Sequence, residues 1–214
     1  MSKRQKAKKM IEIKKFNNVI DEFDNDVDKK VAEIFSNYQN VILELGCGTG
    51  TYTNSLAINF PNKLYIGIDI QGERIWYGAK EAIDLKLQNV FFIRMQIENL
   101  LNIIPINSVS EIWITFPDPF PREKQAKKRL TSSRFCEICK KVLKSNGIIH
   151  LKTDSEFLFD YSILSFEENG FKKKIILDDI TKSQDKILLE IQTYFETKHL
   201  KLGKTIKYCS YAKD

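Results

Sequence analysis

Residues 41–50 read VILELGCGTG, a short apolar run that leads into three glycines at alternate positions. The run VILEL is typical of a buried strand, because it is short and stops at a glycine cluster. Gly46, Gly48 and Gly50 let the backbone turn tightly and bring its N–H groups close to a ligand at the start of a helix. The stretch therefore predicts a ligand-binding loop at the carboxyl end of a strand in an α/β fold.

Strands and helices alternate outward from this loop. The expected strands cover residues 41–45, 64–70, 90–95, 110–116, 148–153, 171–177 and 205–212. The expected helices cover residues 27–38, 51–60, 71–87, 132–147 and 154–170. This alternation predicts an α/β class with a doubly wound, mainly parallel seven-stranded sheet, and the last two strands predict an antiparallel edge.

Length and composition restrict the class of protein. A chain of 214 residues with 43% hydrophobic and 29% charged residues fits a globular protein with a full core. We expect a single domain over residues 26–214, preceded by a basic, mobile arm over residues 1–25. No apolar run approaches the roughly 20 residues of a membrane helix, and no apolar segment of a signal peptide follows the basic start. These features exclude membrane and secreted classes and predict a cytoplasmic protein.

The four cysteines support the same location. They lie at positions 47, 136, 139 and 209, which is no disulfide framework. Cys136 and Cys139 form a lone CxxC on a predicted helix, and no second pair is present to complete a zinc site. We interpret them as a buried pair and predict no metal site.

Positive charge is concentrated in two segments. The net charge is +6, and residues 1–15 carry seven basic residues against the single acid Glu12. The rest of the chain is neutral overall, yet Arg122 to Arg129 holds five basic residues and one acid. Such clusters indicate either a polyanionic partner, with nucleic acid the obvious one, or merely solvated surfaces.

The pattern around the glycines selects the ligand. A dinucleotide fingerprint, GxGxxG, would require glycine where Thr51 stands. The pattern present is E-x-G-x-G-x-G, which begins at Glu44 and resembles motif I of the class I S-adenosylmethionine-dependent methyltransferases. Asp69 ends the next strand, where a carboxylate that accepts ribose hydroxyls is expected. Because Glu44 suits an ammonium and a sulfonium and would repel a pyrophosphate, the pattern favours a methyltransferase over a dehydrogenase.

A second motif follows the strand at 110–116. Residues 116–130 read FPDPFPREKQAKKRL, in which three prolines stiffen the loop and place Asp118 at the carboxyl end of the strand. Together with HLKTDSEFLFDY (150–161) and TYFETKHLKLGKTIKY (193–208), it resembles the tRNA (guanine-N7)-methyltransferase family over about residues 40–212. The resemblance implies methyl transfer from S-adenosylmethionine to N7 of a guanine in the tRNA variable loop.

The resemblance also implies residue roles. It implies cofactor contacts at Glu44, Gly46, Gly48, Gly50, Asp69, Gln96, Ile97 and Asp118, with Asp118 also catalytic. It implies substrate or RNA contacts at Arg122, Lys124, Lys127, Lys128, Arg129, Asp154, Thr193 and Glu196. The implied partner is tRNA, and the chain would act as a monomer, as a homodimer or with an accessory subunit.

The chain departs from the family pattern at several positions. Gln96 stands where an acid is usual, Phe120 replaces Trp, and the run 122–129 holds fewer basic residues than is usual. Two alternatives stay open. One is an exocyclic-amine methyltransferase, since Asp118-Pro119-Phe120 faintly resembles a (D/N)PP(Y/F) loop, and the other is a non-catalytic RNA-binding protein on the same fold.

Overall fold

The computed structural model describes residues 2–214, which form two compact units, one up to Pro105 and one from Ile106 to Asp214. The described residues contain eight strands in total, one more than expected. The predicted α/β class with mainly parallel strands and an antiparallel edge is confirmed. The predicted single domain over residues 26–214 stays a prediction. Within residues 2–214, no helix is both long enough and apolar enough to cross a membrane.

The N-terminal unit is built on four parallel strands. These are β1 (Val19–Asp21), β2 (Val41–Leu45), β3 (Leu64–Asp69) and β4 (Val90–Arg94), in the spatial order β1-β4-β3-β2. Every residue of β2 and β3 is buried, which is the pattern of parallel strands covered on both faces. The helices of the unit are α1 (Lys3–Glu12), α2 (Val27–Ser36), α3 (Thr51–Asn59), α4 (Gly72–Asp84) and α5 (Leu100–Ile103).

Helices α3 and α4 pack closely beside the glycine loop. A Cβ atom on Gly78 of α4 would lie 2.7 Å from the carbonyl oxygen of Thr49, so only glycine permits this approach. Asn54 of α3 locks the contact, because its amide Nδ2 donates to the carbonyl oxygen of Gly78 at 3.0 Å and to Glu81 at 2.7 Å. The loop is therefore fixed between strand and helix.

The segment that precedes α2 contains a helix and a short strand, and the expected mobility of residues 1–25 stays a prediction. Residues 3–12 form α1, which packs against α4, and β1 pairs with β4 in parallel register. The side chains of Asp21 and Arg94 form an ion pair at 2.7 Å across β1 and β4. The segment gains this order from contacts with α4 and β4, which come much later in the chain.

The C-terminal unit combines two parallel strands with an antiparallel edge. Strand β5 (Val109–Thr115) runs parallel to β6 (Leu143–Thr153), and β8 (Lys207–Ala212) lies antiparallel between β6 and β7 (Lys172–Leu177). The predicted antiparallel addition of the last two strands is confirmed. The helices of the unit are α6 (Ser133–Val142), α7 (Glu156–Glu168), α8 (Lys186–Glu190) and α9 (Tyr194–Lys201).

Helix α6 ends earlier than predicted. The sequence predicts a helix to residue 147, but α6 ends at Val142 and β6 begins at Leu143. Leu143 is fully buried in register with Val109 of β5, so burial against the neighbouring strand outweighs the helical pattern. Asn146 then adopts a positive φ of 61°, which a helix does not allow.

Candidate functional site

The glycine loop joins β2 to α3 and is folded back onto the end of β3. The N–H groups of Gly46 and Cys47 donate to the carbonyl oxygen of Ile68 at 2.8 and 3.0 Å, and Gly50 N–H donates to the Cys47 carbonyl oxygen at 2.9 Å. These backbone bonds define a tight turn at the carboxyl end of a parallel strand, where α/β folds bind their ligands.

Two of the loop glycines serve different purposes. Gly50 has φ +72°, and a Cβ there would lie 2.5 Å from the ring of Phe92, so glycine is required by packing. Gly48 has φ +58°, but a Cβ there would meet nothing within 4 Å. The space above Gly48 is therefore open, as a loop whose backbone approaches a ligand requires.

Two buried carboxylates flank the loop. Asp69, at the end of β3, accepts hydrogen bonds from Gly48 N–H at 2.9 Å and from Gln71 N–H at 2.8 Å. Glu44, on β2, accepts a hydrogen bond from the Thr53 hydroxyl of α3. Burial, followed by the charges of Glu44 and Asp69, raises the pKa of the Cys47 thiol well above its usual value. The two carboxylates beside the loop make its surroundings negative, which favours a cationic ligand.

These residues fit S-adenosylmethionine. The open space at Gly48 admits a ligand against the loop backbone, and each oxygen of Asp69 keeps a lone pair for a ribose hydroxyl. The negative charges of Glu44 and Asp69 match the ammonium and sulfonium of that cofactor and oppose a pyrophosphate. The ligand that the sequence predicts is therefore compatible with the geometry.

Gln96 and Ile97 follow β4, the strand next to β3. Gln96 is exposed and Ile97 is half-buried. Glu22 holds this turn, because it accepts a hydrogen bond from Gln96 N–H at 3.3 Å and another from the Asn99 amide at 2.8 Å. The sequence does not indicate Glu22 as a site residue, because it does not predict the short strand β1 that precedes Glu22. The adjacent strands β2, β3 and β4 thus bring Glu44, the glycines, Asp69 and Gln96 to one edge of the N-terminal unit.

In the C-terminal unit, Asp118 stands on the proline-rich loop after β5. The loop leaves the strand at Phe116, whose N–H donates to the Lys152 carbonyl oxygen at 2.8 Å. Phe116 and Phe120 both adopt positive φ, at 49° and 42°, which is uncommon for a bulky residue and costs free energy. Asp118 lies between these two strained residues and is exposed.

Arg129, which the family resemblance implies as an RNA contact, is buried. Its side chain is 2% exposed, and its Nε and Nη2 both donate to the carbonyl oxygen of Phe120, at 3.1 and 3.0 Å. The guanidinium lies over the rings of Phe157 and Tyr161 of α7, 4.8 and 4.3 Å from the ring centres. Arg129 therefore clamps the strained end of the Asp118 loop onto α7.

The other basic residues of the run remain on the surface. Residues Glu123–Lys128 form a 3₁₀ turn, closed by Arg129 N–H donating to the Ala126 carbonyl oxygen at 3.1 Å. Exposed cationic side chains of the run are Arg122, Lys124, Lys127 and Lys128. Since Arg129 is buried, these four are the cationic side chains of the run that solvent reaches, and we name them the basic turn.

Asp154 follows β6 and has basic neighbours. Its Oδ2 accepts a hydrogen bond from Lys204 Nζ at 2.7 Å, and His199 Nδ1 lies 3.1 Å from the same oxygen. Helix α7 is capped by Ser155, whose hydroxyl accepts from Leu158 N–H, so Asp154 is not the helix cap. The carboxylate is half-buried at the carboxyl end of a strand, as a substrate contact would be.

Thr193 and Glu196 form a capping box at the start of α9. The Thr193 hydroxyl accepts from Glu196 N–H at 2.9 Å, and Glu196 Oε2 accepts from Thr193 N–H at 3.3 Å. Glu196 is fully buried and pairs with the buried Lys152 Nζ at 2.7 Å. Burial raises the pKa of Glu196, and the charge of Lys152 opposes this rise only in part. Glu196 thus connects α9 to β6, and Thr193 caps the start of the helix.

His150 and the four cysteines lie in the core. His150 is stacked on Trp113 with 4.0 Å between ring centres, and its Nδ1 lies 2.8 Å from the Tyr208 hydroxyl, so it packs within the core. All four cysteines are free and buried. Within residues 2–214, no three His, Cys, Asp or Glu side chains are grouped to hold a metal ion.

Solved structures show the same fold. The 30S ribosomal A1408 methyltransferase of an uncultured bacterium is 20% identical with a TM-score of 0.68, over 92% of this chain and 98% of that chain. A SAM-dependent methyltransferase from Aquifex aeolicus is 17% identical with a TM-score of 0.58, over 87% and 89%. Fold and glycine loop together define a class I S-adenosylmethionine-dependent methyltransferase.

Sequence relatives narrow the class to one family. Residues 38–209 match the family described as "Putative methyltransferase". The tRNA (guanine-N(7)-)-methyltransferase of Christiangramia forsetii is 42% identical over 99% of both chains, and that of Bacteroides fragilis is 46% identical over 84% of this chain and 71% of its own. The chain belongs to the tRNA (guanine-N7-)-methyltransferase family.

Proposed function

We propose that the protein transfers the methyl group of S-adenosylmethionine to N7 of a guanine in the variable loop of tRNA, forming 7-methylguanosine. The observation that carries this proposal is the order of functional groups along the chain after β5, where an acid is followed by a set of cations. An exposed carboxylate, Asp118, stands on a loop clamped by Arg129, and the exposed cations of the basic turn follow it directly. A base-contacting acid beside a phosphate-contacting turn suits a nucleic-acid acceptor.

The N-terminal unit would hold the cofactor. Asp69 would accept the ribose hydroxyls, Glu44 would face the cationic amino acid portion, and Gly48 would let the backbone lie against the ligand. The Gln96 side-chain oxygen would accept a hydrogen bond from the adenine amino group. When bound, S-adenosylmethionine supplies an electrophilic methyl group on a cationic sulfur.

The chemistry of guanine explains why no general base is required. N7 carries a free lone pair, so no proton has to leave before it attacks the methyl carbon in line with the departing sulfur. The protein therefore acts by positioning and by electrostatic stabilisation. We infer that Asp118 accepts hydrogen bonds from the N1–H and amino group of the guanine. Its negative charge then offsets the positive charge that develops on the base during transfer.

The basic turn would contact the RNA backbone. Arg122, Lys124, Lys127 and Lys128 are exposed and lie close together in the chain, on a 3₁₀ turn and the residue before it. Phosphate contacts of this kind position a nucleic acid without reading its sequence, and they weaken as salt rises. Asp154 and its neighbour Lys204 would contribute a further contact to the guanine nucleotide.

The test is methyl transfer from labelled S-adenosylmethionine to an unmodified tRNA transcript, with the product nucleosides resolved by mass spectrometry. We expect labelled 7-methylguanosine, and we expect it to disappear when the variable-loop guanine is replaced. Asp118→Asn keeps the shape of the side chain but removes its charge, and should lower kcat by about 10²- to 10³-fold. Asp160→Asn, at an exposed aspartate of α7, is the matched control and should leave kcat unchanged.

Other outcomes would contradict the proposal in distinguishable ways. Label in N6-methyladenosine or another exocyclic amine would assign the protein to the exocyclic-amine methyltransferases. Tight tRNA binding without transfer would indicate a non-catalytic RNA-binding protein or a missing accessory subunit. We also assign the protein to the cytoplasm, and its four free thiols, which suit a reducing compartment, support this.

A further inference from the structure

Helix α1 is attached to α4 by specific polar and aromatic contacts. Lys6 Nζ forms an ion pair with Glu73 Oε1 at 2.8 Å, and this hydrogen bond lowers the pKa of Glu73. Lys9 Nζ lies over two rings of α4, 4.1 Å from the centre of the Trp76 ring and 3.2 Å from that of Tyr77. These contacts place one face of α1 against the first half of α4.

Further contacts fix the position of α1 along α4. The Trp76 indole N–H donates to Glu12 Oε2 at 3.0 Å. A Cβ on Gly72 would lie 2.6 Å from the sulfur of Met10, so Met10 rests directly on the glycine backbone. Ile13, just after the helix, is 3% exposed. The hydrogen bond to Glu12, the contact of Met10 with Gly72 and the burial of Ile13 together set the position of α1 along α4.

The opposite face of α1 is cationic. At about 100° per residue, Arg4, Lys8 and Ile11 point away from the side that carries Lys6, Lys9 and Ile13. Lys3, Arg4 and Lys8 are exposed, and Lys14 and Lys15 after the helix are exposed too. Glu12, the single acid within the segment 1–15, is hydrogen-bonded to Trp76. Arg4 and Lys8 give the outward face positive charge without an acid among its own residues. Lys3 adds a further exposed cation in the first turn of the helix, and we name Lys3, Arg4 and Lys8 together the α1 basic face.

Helix α1 lies against the part of α4 that is next to the cofactor edge of the N-terminal unit. Helix α4 begins at Gly72, shortly after Asp69, whose carboxylate holds the glycine loop. Residues of α1 contact Gly72, Glu73, Trp76 and Tyr77, which belong to the first half of α4. An acceptor that approaches the carboxyl ends of β3 and β4 would therefore meet this helix.

We propose that the α1 basic face is a second phosphate-contacting surface for the methyl-acceptor RNA, separate from the basic turn. This inference rests on the proposed function, since the RNA is taken to be the acceptor. The charge complementarity with a polyanion and the continuity with the cofactor edge select RNA as the partner. The exposed Ile11, 66% accessible amid these cations, gives the face an apolar site for a ribose or base. Because α1 is already ordered by α4, it contacts RNA without paying for folding.

The decisive experiment compares two triple variants of the full chain that remove the same charge. Lys3→Ala/Arg4→Ala/Lys8→Ala removes the three cations of the α1 basic face. Because alanine is the best helix former, helix α1 itself is retained. Lys173→Ala/Lys174→Ala/Lys182→Ala removes three exposed lysines of the C-terminal unit as the matched control. The dissociation constant of an unmodified tRNA transcript is measured for each over a range of KCl concentrations.

The expected result is specific to the α1 variant. Each lost phosphate contact removes about 0.7–0.9 from the slope of log affinity against log salt, so the slope should fall by about 2–3. The dissociation constant at about 0.15 M salt should rise about tenfold, whereas the control should stay within about twofold of the wild type. An equal change in both variants would show a nonspecific effect of net charge and would overturn the proposal. Unchanged tRNA binding together with lost binding to anionic lipid vesicles would overturn it in favour of a membrane surface.

A third variant tests the docking of the helix. Trp76→Leu removes the ring beneath Lys9 and the hydrogen bond to Glu12 while keeping every basic group. We expect tRNA affinity to fall although the net charge is unchanged. An unaltered affinity would show that RNA binding does not depend on the docking of α1 against α4. Formation of 7-methylguanosine by the wild type is assayed in parallel. If that product is absent while the α1 variant still loses RNA affinity, the proposed function fails and the RNA surface stands.

Discussion

Arg129 joins the loop that carries the catalytic candidate to helix α7. Its two donors hold the carbonyl oxygen of Phe120, a residue in a strained left-handed conformation, and its guanidinium lies over two aromatic rings. A planar, forked cation fits this position, and an ammonium does not reproduce it. The position of Asp118 therefore depends on a side chain that is itself shielded from solvent.

We predict that Arg129→Lys lowers kcat without changing charge. The loop should relax at Phe120, and a displacement of about 1 Å at a reacting group costs on the order of 100-fold in rate. Steady-state kinetics with saturating tRNA measure the effect, and the dissociation constant of the cofactor should be unchanged. Lys128→Gln, at the neighbouring exposed lysine, should instead raise the KM for tRNA and leave kcat intact. A raised KM with normal kcat for Arg129→Lys would return Arg129 to the RNA-contacting set.

The two loop glycines yield a second prediction at this scale. Gly50→Ala adds backbone strain of roughly 1–2 kcal/mol and a clash with Phe92 of about 1–3 kcal/mol, so the free energy of unfolding should fall by about 2–5 kcal/mol. Gly48→Ala adds only the strain, because its Cβ meets open space, but this Cβ enters the volume that the cofactor needs. Urea denaturation measures the loss of stability in each variant. Calorimetric titration with S-adenosylhomocysteine measures the loss of cofactor binding. Equal loss of stability with unchanged binding in both variants would contradict the distinction.

Sequence reasoning could place these residues but could not assign their environments. Lys128 and Arg129 are neighbours of the same charge in one basic run, and the pattern predicts phosphate contacts for both. Only the fold shows that Phe157 and Tyr161, which belong to the later helix α7, surround Arg129. The same holds for Glu22, whose link to Gln96 depends on the pairing of β1 with the distant strand β4.

At the scale of elements, α9 is connected to β6 through a buried ion pair. Lys152 and Glu196 are both fully buried, and Glu196 also closes the capping box of α9. Two charges removed from water gain stability only while each is paired, and the loss of one partner leaves an uncompensated charge inside the protein. Thr193 and Glu196, which form a T-x-x-E motif at the start of the 193–208 stretch, are therefore required for the position of their own helix.

We predict that Glu196→Gln destabilises the protein by about 3–5 kcal/mol, because it leaves the Lys152 ammonium buried without a counter-charge. The glutamine can still accept the hydrogen bond from Thr193 N–H, so the loss would report on the ion pair and not on the cap. Urea denaturation measures the change. Glu190→Gln, at the exposed end of α8, should stay within about 0.5 kcal/mol of the wild type. A loss as small as the control's would show that Lys152 finds other partners.

Elements with a strong local signal were predicted closely. Strand β2 was predicted with its observed bounds, since a short buried run ends at a glycine. The end of α6 was misplaced, because Leu143 fits either a helix face or a strand until the neighbouring strand is known. Strand β1 is very short, and α1 has a lysine-rich sequence that is ordinary in mobile segments. Both owe their order to distant contacts that one sequence does not display.

At the scale of the whole molecule, the fold class and the family could both be predicted from the sequence. The order of strand, glycine loop and helix, together with the FPDP and T-x-x-E motifs, is specific enough to name the family. The two relatives described above, at 42% and 46% identity, confirm it. The orientation of side chains could not be inferred in the same way, because packing decides it.

We predict that S-adenosylhomocysteine stabilises the molecule. At about 100 times its dissociation constant, a ligand of the native state adds about 2.7 kcal/mol, which for a chain of this size corresponds to roughly 5–10 °C in Tm. Differential scanning calorimetry gives the shift. Asp69→Asn should reduce it strongly, since Asp69 positions the loop and binds the ribose, whereas Asp28→Asn on the exposed side of α2 should not. No shift in the wild type at saturating ligand would count against the cofactor site.

The buried cysteines make the protein a convenient host for fluorescent labels. All four thiols are enclosed, and burial raises the pKa of Cys136 to about 11 and that of Cys209 to about 12, so few thiolates exist at neutral pH. A cysteine introduced on the surface, for example by Lys173→Cys, would then be the one that a maleimide dye reaches quickly. The natural cysteines need not be removed first, and their slow reaction with the same dye would report how often the folded chain opens.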